Sequence, residues 1–402
     1  MGLFRQHFRQ WWQLPRQVGD RSEHRSVTFL ELFYDLVYVV LIAQIAHSLA
    51  GHVDLAHVGQ FVFLFIIVWW SWFNGMSFHD LHGNNDIRTR VFTFIQMICV
   101  AGMAAFAHHA MDETSVPFAL AYGAFQLTLT FLWWRVGVHD RKHRVLSKPY
   151  AFAFLITSLL FLGSVFVPLG IRSYMWGSSV LIALLLPIVT FNRGRNNPTI
   201  QKELDKLIIV SPSTVERFGL FTIIVLGEVV VGVVLGLSNH HHLTWEIAAV
   251  ALIGILIAAG LWWVYFDFIS HRIPIAKSSK VVSWMYLHLP LTAAIAAVGS
   301  TLLNVTQGTG GELPPEVKWL LVTSVAVVLL SVGLLIRTLK QEHRLPKVHA
   351  MGSRIMLVST PLTALLGLLT ISGVGLLGLV FLILLFPVFY GLKTWLKEVV
   401  DK

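Results

Sequence analysis

The sequence predicts an all-α polytopic membrane protein of about twelve transmembrane helices, arranged as two parallel six-helix repeats with both termini in the cytoplasm. Three observations predict this fold class. First, the 402 residues are 55% hydrophobic and only 13% charged, whereas soluble domains average about 25% charged residues. Second, the hydrophobic residues gather in runs long enough to cross a bilayer. Third, the basic residues are confined to alternate loops.

Twelve apolar runs reach the roughly 20 residues that a membrane-spanning helix needs. Only a Gly-rich hinge separates the last two runs, so a single re-entrant unit is an alternative there; the count is about ten to twelve, with twelve preferred. In chain order, the predicted spans are 28–50, 56–78, 90–110, 116–135, 149–169, 173–191, 216–237, 244–268, 282–303, 317–337, 353–371 and 373–392.

The loops between the spans indicate the orientation, because short cytoplasmic loops carry an excess of Lys and Arg. Of the 30 Lys and Arg residues, all except Arg172 and Lys318 fall in the terminal segments, in loops on one predicted side or at the span ends beside those loops. This pattern places both termini in the cytoplasm. It also accounts for the net charge of +9 without a nucleic-acid partner. The single cysteine, Cys99, excludes an intrachain disulfide.

No separate soluble domain is predicted, and the two halves of the chain look related. WWSWFNGMS (69–77) aligns with WWVYFDFIS (262–270), and FIQMICVAGMAAFA (94–107) aligns with YLHLPLTAAIAAVG (286–299), at spacings that agree within one residue. Parallel repeats of this kind occur in many transporters. The predicted parts are a cytoplasmic Arg-rich segment (1–26), a first six-helix repeat (27–191), a cytoplasmic connector (192–215), a second six-helix repeat (216–392) and a cytoplasmic tail (393–402).

Polar residues inside the apolar runs are the candidate functional residues, because an ionised side chain at the bilayer centre costs about 3 kcal/mol. In the first span, Glu31, Asp35 and Tyr38 are spaced for one face of a helix near its cytoplasmic end. Gln44 and His47 fall on another side, which predicts that protein surrounds this helix. The alternative for the two acids is a solvated or ion-paired position at the membrane interface.

The seventh span carries two acids. Glu216 is interfacial and suits the positive end of a helix dipole. Glu228 lies about 18 Å further along the axis, near mid-membrane, at about 1.5 Å per residue. Nearby Gly227, Gly232 and Gly236 predict a close helix contact. Glu228 is therefore expected either to line a cavity or to serve as a protonated hydrogen-bonding group between helices.

Two further residues complete the candidate set. Asp267 follows WWVYF at the cytoplasmic end of the eighth span, and its repeat partner is Asn74. His288 lies a few residues inside the ninth span, and its repeat partner is Gln96. A lone intramembrane histidine is more often a hydrogen-bonded packing residue than a proton carrier. Together with the acids, however, these positions predict a polar cavity between the repeats on the cytoplasmic side.

Histidines also cluster in the predicted outer loops, where imidazole and carboxylate groups could bind a metal ion. Adjacent histidines lack the spacing of a helical metal site, so exposed loops are favoured and no metal or other cofactor is predicted. Motifs for dinucleotides, nucleoside triphosphates, zinc proteases and serine hydrolases are missing from the sequence. This disfavours an enzyme. The outer histidines are His52, His57, His108, His109, His240, His241 and His242.

Four runs, in order, resemble the bacterial low temperature requirement protein A (LtrA) family: VTFLELFYDLVYV, ERFGLFTIIVLGE, WWVYFD and YLHLPL. The resemblance extends from about Arg25 to the last helices. It implies a multi-pass protein of the bacterial cytoplasmic membrane and a requirement during growth in the cold. It implies no molecular activity and no catalytic residues. One departure is Phe218, where His is expected in many relatives.

The residues favour a secondary transporter, coupled to protons or another cation, for a small solute that the sequence does not identify. In this hypothesis, Asp35 and Glu228 exchange protons or a cation. His288 and Asp267 line or gate the site, and Glu31 attracts cations from the cytoplasm. Two alternatives stay open: an intramembrane enzyme acting on a lipid or isoprenoid substrate, and a channel or non-catalytic scaffold. The lipid bilayer is the expected surrounding, and a homo-oligomer is compatible with the sequence.

Overall fold

The structure is a computed structural model of the chain and describes residues 13–17, 26–194, 196–308, 311–340 and 346–400. Thirteen α-helices occur in these residues, and twelve of them contain a segment long and apolar enough to cross a membrane. The prediction of twelve spans is therefore confirmed. Most of the predicted segment 1–26 and the end of the predicted tail lie outside the described residues.

The twelve long helices follow one another through mostly short loops, and the remaining helix, α7, lies in the connector. The helices are α1 (Phe29–Gly51), α2 (Leu55–His82), α3 (Ile87–Phe106), α4 (Ser115–His139), α5 (Arg144–Gly163), α6 (Leu169–Gly194), α7 (Pro198–Ile208), α8 (Pro212–Ser238), α9 (Trp245–Phe268), α10 (Ser278–Gln307), α11 (Pro315–Ile336), α12 (Pro346–Leu365) and α13 (Gly373–Val400). The last two spans are separate helices, each long enough to cross a membrane, which favours twelve spans over a re-entrant unit.

Side chains at the helix ends satisfy backbone groups that have no partner within the helix. At the start of α1, Thr28 Oγ1 accepts a hydrogen bond from the Glu31 N–H at 3.3 Å, and the Glu31 carboxylate accepts one from the Thr28 N–H at 2.9 Å. This reciprocal pair is a capping box. Asp86 caps α3 by accepting from the Thr89 N–H, and Thr244 caps α9 in the same way. Glu31 therefore has a structural role at the helix end.

The described chain divides into two compact units, each with its own buried polar groups. The tip of the α1–α2 hairpin belongs to the second unit, where Ser300 and Asn304 of α10 donate hydrogen bonds to the carbonyl groups of Ala46 and Ala50 at 2.7 and 2.9 Å. The first unit contains the described residues up to Ile45 together with Phe63–Thr214, and the second contains Ala46–Val62 and the described residues from Val215 onward.

The first helix is not surrounded by protein, contrary to the sequence prediction. Phe33, Leu36 and Val40 are about half exposed, at 50%, 55% and 55%. They form an apolar stripe suited to lipid tails, whereas Asp35 and Tyr38 on the other side of the helix are fully buried. The prediction failed because it took Gln44 and His47 as evidence of protein on every side.

In the second unit, α8 and α10 touch through their backbones. A Cβ atom added at Gly299 would lie 2.6 Å from the backbone oxygen of Glu228, and one added at Gly232 would overlap the backbone oxygen of Gly299. Gly236 faces α10 in the same way, whereas Gly227 has no neighbour within 4 Å. The predicted close contact is therefore present at two of the three glycines.

We expect Gly232→Ala to lower the unfolding temperature of the purified protein. The added methyl group would push α10 away from α8, and such overpacking costs about 1–3 kcal/mol. Gly227→Ala is the matched control on the same helix, because open space surrounds that position; its unfolding temperature should be unchanged or higher. Thermal unfolding in detergent, followed by circular dichroism, measures both variants. Equal unfolding temperatures in the two would contradict the close contact.

Candidate functional site

Asp35 of α1 is the more deeply buried of the two predicted acids of the first unit. Its side chain is inaccessible to solvent, and its Oδ1 accepts a hydrogen bond from the indole Nε1 of Trp72 in α2 at 2.8 Å. Glu31 and Tyr38 are buried as well, which agrees with their helical spacing. Asp35 is thus held at a fixed position inside the unit.

Hydroxyl groups of α1 and α2 form a short chain in the first unit. The Tyr34 and Tyr38 hydroxyls are 3.1 Å apart, and the Tyr38 hydroxyl lies 3.2 Å from Ser71 Oγ. Gly75 makes room for this arrangement, because a Cβ atom there would overlap the Tyr34 hydroxyl. The edge of the Tyr34 ring also meets the imidazole of His79, with 5.8 Å between ring centroids. The chain therefore ends beside a histidine.

His79 joins α2 to α3. Its Nε2 lies 3.2 Å from Gln96 Oε1 and 3.3 Å from Thr93 Oγ1, and all three side chains are buried. The predicted site residue Gln96 thus has His79 as a partner. Asn74, another predicted residue, uses its amide on its own helix, where Nδ2 donates to the Trp70 carbonyl at 2.9 Å.

His79 and Glu31 also line a polar cavity of about 690 Å³ at the adjacent ends of α1, α2 and α3. This volume falls in the range of about 300–1,000 Å³ that is typical of small-ligand sites. The cavity brings one carboxylate and one imidazole together with two guanidinium groups. Its other polar lining residues are Arg16, Thr28, Asn84, Asn85, Thr89, Arg90 and Thr93.

Sequence reasoning missed another buried acid of the first unit, Asp80, which belongs to the HDLH run. Its carboxylate accepts hydrogen bonds from Ser211 and Thr214, both at 2.9 Å, and from Ser213. The last turn of α2 is thereby fixed to the segment in which α8 begins. The hydroxyl-rich SPST run (211–214) at the start of α8 is a helix-start signal that could have identified this segment.

Outside the membrane-spanning segments, His143 and Glu203 form a buried contact in the first unit. His143 Nδ1 lies 3.4 Å from Glu203 Oε2, and Lys206 Nζ donates to the same carboxylate at 2.6 Å. Burial lowers the pKa of His143, and the hydrogen bond to Glu203 opposes this shift in part. The contact joins the start of α5 to the connector helix α7.

The buried acid of the second unit is Glu228 of α8. Only 3% of the residue is exposed, and its carboxyl group has no hydrogen-bond partner among the residues that the structure describes. It lies beside the tight contact with α10, because the backbone of Gly299 packs against the backbone of Glu228. A buried polar group without a partner is costly. Among the predicted acids inside the spans, Glu228 is the one that is both buried and without a hydrogen-bond partner in the described residues.

His288 of α10 is fully buried, and both of its ring nitrogens have partners. Nδ1 lies 2.7 Å from the carbonyl oxygen of Trp284, and Nε2 lies 3.1 Å from the hydroxyl of Tyr265 in α9. Because a carbonyl only accepts, Nδ1 carries a proton, whereas Nε2 bonds to the Tyr265 hydroxyl, a group that can donate or accept. The rings of Phe218 and Trp284 pack on the imidazole, with centroids 4.6 and 4.8 Å away. Both ring nitrogens of His288 are thus engaged, and the imidazole is held in one orientation.

The other two predicted acids of the second unit lie apart from these groups. Asp267 is half-buried, and its Oδ2 accepts a hydrogen bond from Trp263 Nε1 at 2.7 Å, one turn earlier in α9. Glu216 is exposed near the start of α8, in the interfacial place that the sequence suggests. Neither acid forms a hydrogen bond with Glu228 or His288 within the described ranges. The predicted common cavity for all of these residues stays a prediction.

The outer histidines are mostly exposed. His57 Nδ1 pairs with Asp54 Oδ2 at 2.8 Å, and the backbone N–H and imidazole of His57 hold the pKa of Asp54 below its usual range. No group of three or more His, Cys, Asp and Glu side chains is placed to hold a metal ion in the part of the chain that is described.

Twelve apolar helices with acids buried among them define a multi-pass α-helical membrane protein. The family model described as bacterial low temperature requirement A protein (LtrA) matches residues 26–387, and the chain therefore belongs to the LtrA family. The resemblance seen in the four sequence runs is thus confirmed. The chain is also similar to the uncharacterized protein RA0937 of Rhizobium meliloti (strain 1021), with 25% identity over 298 residues, which cover 70% of each chain. No solved structure matches the chain.

We expect His143→Gln to reduce the loss of stability that accompanies acidification. The pKa of His143 is lower in the folded protein than the value of about 6.5 in an unfolded chain. The stability that this group contributes is therefore complete above about pH 6.5 and is lost as the pH falls through the lower folded value.

Unfolding temperatures measured between pH 7 and pH 5 test this expectation. His139→Gln is the control, because His139 is exposed on the preceding helix. Wild type and the His139 variant should lose stability in parallel, and the His143 variant should lose less. An equally steep loss in all three proteins would contradict the assignment of a neutral buried histidine.

Proposed function

We propose that this LtrA-family protein is a secondary transporter of the bacterial cytoplasmic membrane, coupled to protons or another cation, that moves a small solute. The observation that carries the proposal is Glu228, a buried acid within a membrane span with no hydrogen-bond partner among the described residues. Ionisable residues inside spans are expensive, and they mark ion pathways and proton relays. In the proposal, Glu228 takes up and releases the coupling proton or cation.

Asp35 is the second exchanging acid in this proposal. The Trp72 indole donates its hydrogen bond to Asp35 Oδ1, and an indole N–H can do so to either protonation state of a carboxyl group. The hydroxyl chain of Tyr34, Tyr38 and Ser71 supplies groups that both donate and accept. These properties suit the movement of a proton between α1 and α2.

The polar cavity of the first unit contains one proposed cation-attracting group. Glu31 lines it while capping α1, so its charge can attract cations without leaving its structural position. For His288 we propose a positioning role rather than proton exchange, because Trp284 and Tyr265 already engage both ring nitrogens. Asp267 lies near the end of α9, where it suits a peripheral role in ion access.

We further propose that both termini are cytoplasmic and that the chain contains two parallel repeats. The distribution of Lys and Arg supports the orientation. Gln96 and His288, which align between the proposed repeats, are both fully buried. Each bonds to a side chain of the preceding span, His79 in one case and Tyr265 in the other. The family is named for a requirement at low temperature, and the proposal extends that requirement to this protein.

We expect Glu228→Gln to abolish solute-dependent proton flux, because an amide cannot release a proton at this position. The assay uses proteoliposomes with a trapped pH-sensitive dye, an imposed pH gradient and a panel of small solutes. Glu216→Gln is the matched control on the same helix and should keep wild-type flux, because Glu216 is exposed. Unchanged flux in the Glu228 variant would remove this acid from the mechanism.

Asp35→Asn should also abolish flux while leaving the protein folded. Asparagine keeps an oxygen that can accept from the Trp72 indole, but it cannot exchange a proton. Trp72→Phe provides the comparison, since it deletes the hydrogen bond and should cost about 1.5–3 kcal/mol of stability, as expected for a bond to a charged group. Full flux with Asp35→Asn, measured in the same vesicles, would assign Asp35 to structure alone.

A further inference from the structure

An apolar groove of about 460 Å³ lies between α1 and α3 in the first unit. Leu36 and Val40, which line it, are each 55% exposed, so the groove is open at the protein surface. For spans of a membrane protein, that surface faces lipid tails. The groove is lined on one side by Leu36, Val37, Val40 and Gln44 of α1, and on the other by Ala101, Ala104 and Ala105 of α3.

The groove and the polar cavity are neighbours, because Phe33 lines both. From Phe33 to Gln44, the groove follows α1 for about 16 Å at about 1.5 Å per residue. This length is close to the roughly 15 Å depth of one leaflet, half of the bilayer's hydrocarbon core. The polar cavity lies at the helix ends, at the depth of lipid headgroups. The two spaces together therefore have the outline of a lipid, with a polar head and an apolar tail.

The polar cavity also supplies groups that bind phosphate. Arg90 is exposed, and its Nη2 donates to Asn85 Oδ1 at 3.1 Å, a neutral acceptor that leaves the guanidinium charge available. No ion pair of Arg90 occurs in the described chain. The only acidic side chain that lines the cavity among the described residues is Glu31, and its carboxylate is engaged by Thr28 at 2.9 Å. A guanidinium group can bind phosphate oxygens through two parallel hydrogen bonds.

We propose that this site binds an anionic phospholipid, with its phosphate at Arg90 and one acyl chain in the groove between α1 and α3. Basic pockets between spans are known to hold anionic headgroups. A second copy of the chain could cover the apolar groove, but it would leave Arg90 in the adjoining polar cavity without an anion. The lipid accounts for both spaces with one molecule. This site is separate from Glu228, and its test needs no transport.

Native mass spectrometry of the full-length protein, purified in detergent, tests the headgroup. The protein is titrated with phosphatidylglycerol and, separately, with phosphatidylcholine carrying the same acyl chains. Wild type should retain phosphatidylglycerol at a lower lipid concentration than it needs to retain phosphatidylcholine. Arg90→Gln should weaken this binding about fivefold, the usual effect of one basic residue near an anionic membrane surface. Arg141→Gln, at an exposed arginine outside the cavity, should leave it unchanged.

A groove variant and a soluble headgroup test the acyl chain. Ala101→Phe should fill the groove and reduce retention of phosphatidylglycerol, whereas Ile98→Phe should not, since Ile98 lies on α3 outside the groove and is 71% exposed. Free glycerol phosphate should bind far more weakly than the lipid.

Three results would overturn the proposal. The first is unchanged phosphatidylglycerol binding in both Arg90→Gln and Ala101→Phe. The second is free glycerol phosphate binding as tightly as the lipid. The third is a dimer that Ala101→Phe dissociates while wild type retains no phosphatidylglycerol, because that result assigns the groove to a second copy of the chain.

Discussion

The structure depends on one constraint: within the hydrocarbon of a bilayer, a polar group must find its partner in the protein itself. Several polar side chains of the spans meet this constraint through uncharged partners. Asp35 has the Trp72 indole, and His288 has a carbonyl oxygen and a tyrosine hydroxyl. Hydroxyl side chains such as Thr222 and Thr292 bond to carbonyl groups one turn earlier in their own helices. These polar residues are thereby accommodated inside their own unit.

The spans could be predicted from sequence because run length and hydrophobicity are local properties. The partners could not, because they depend on tertiary contacts. Trp72 is 37 residues from Asp35 in the chain, and Ser211 is 131 residues from Asp80. The capping role of Glu31 could have been predicted from the sequence, since Thr28 and Glu31 have the spacing of a capping box. The structure gives every predicted site residue of the first unit a hydrogen-bond partner. A bond within one helix, such as that of Asn74 to the Trp70 carbonyl, is not evidence for a functional site.

Glu228 is a buried acid of the spans that has no hydrogen-bond partner among the described residues, and the proposed function rests on it. Its neighbours are well packed, as the contact between Gly232 and Gly299 shows, so a loosely formed region does not explain the missing partner. A proton, a cation or a solute could complete its coordination during a transport cycle. The proposed lipid site lies in the other unit and involves different groups, Arg90 and the groove between α1 and α3. Its polar cavity also contains Glu31, but its test does not depend on transport.

The central claim is that Glu228 exchanges a proton from within the membrane. Labelling with a hydrophobic carbodiimide tests this claim directly, because the reagent partitions into lipid and reacts with protonated carboxyl groups. Native membranes are treated at several pH values, and the labelled residue is located by mass spectrometry of proteolytic peptides. We expect labelling of Glu228 to decrease as the pH during treatment is raised. The treated membranes should then keep correspondingly more of their transport activity. If Glu228 stays unlabelled in native membranes at every pH, although it reacts in the unfolded protein, the account is contradicted.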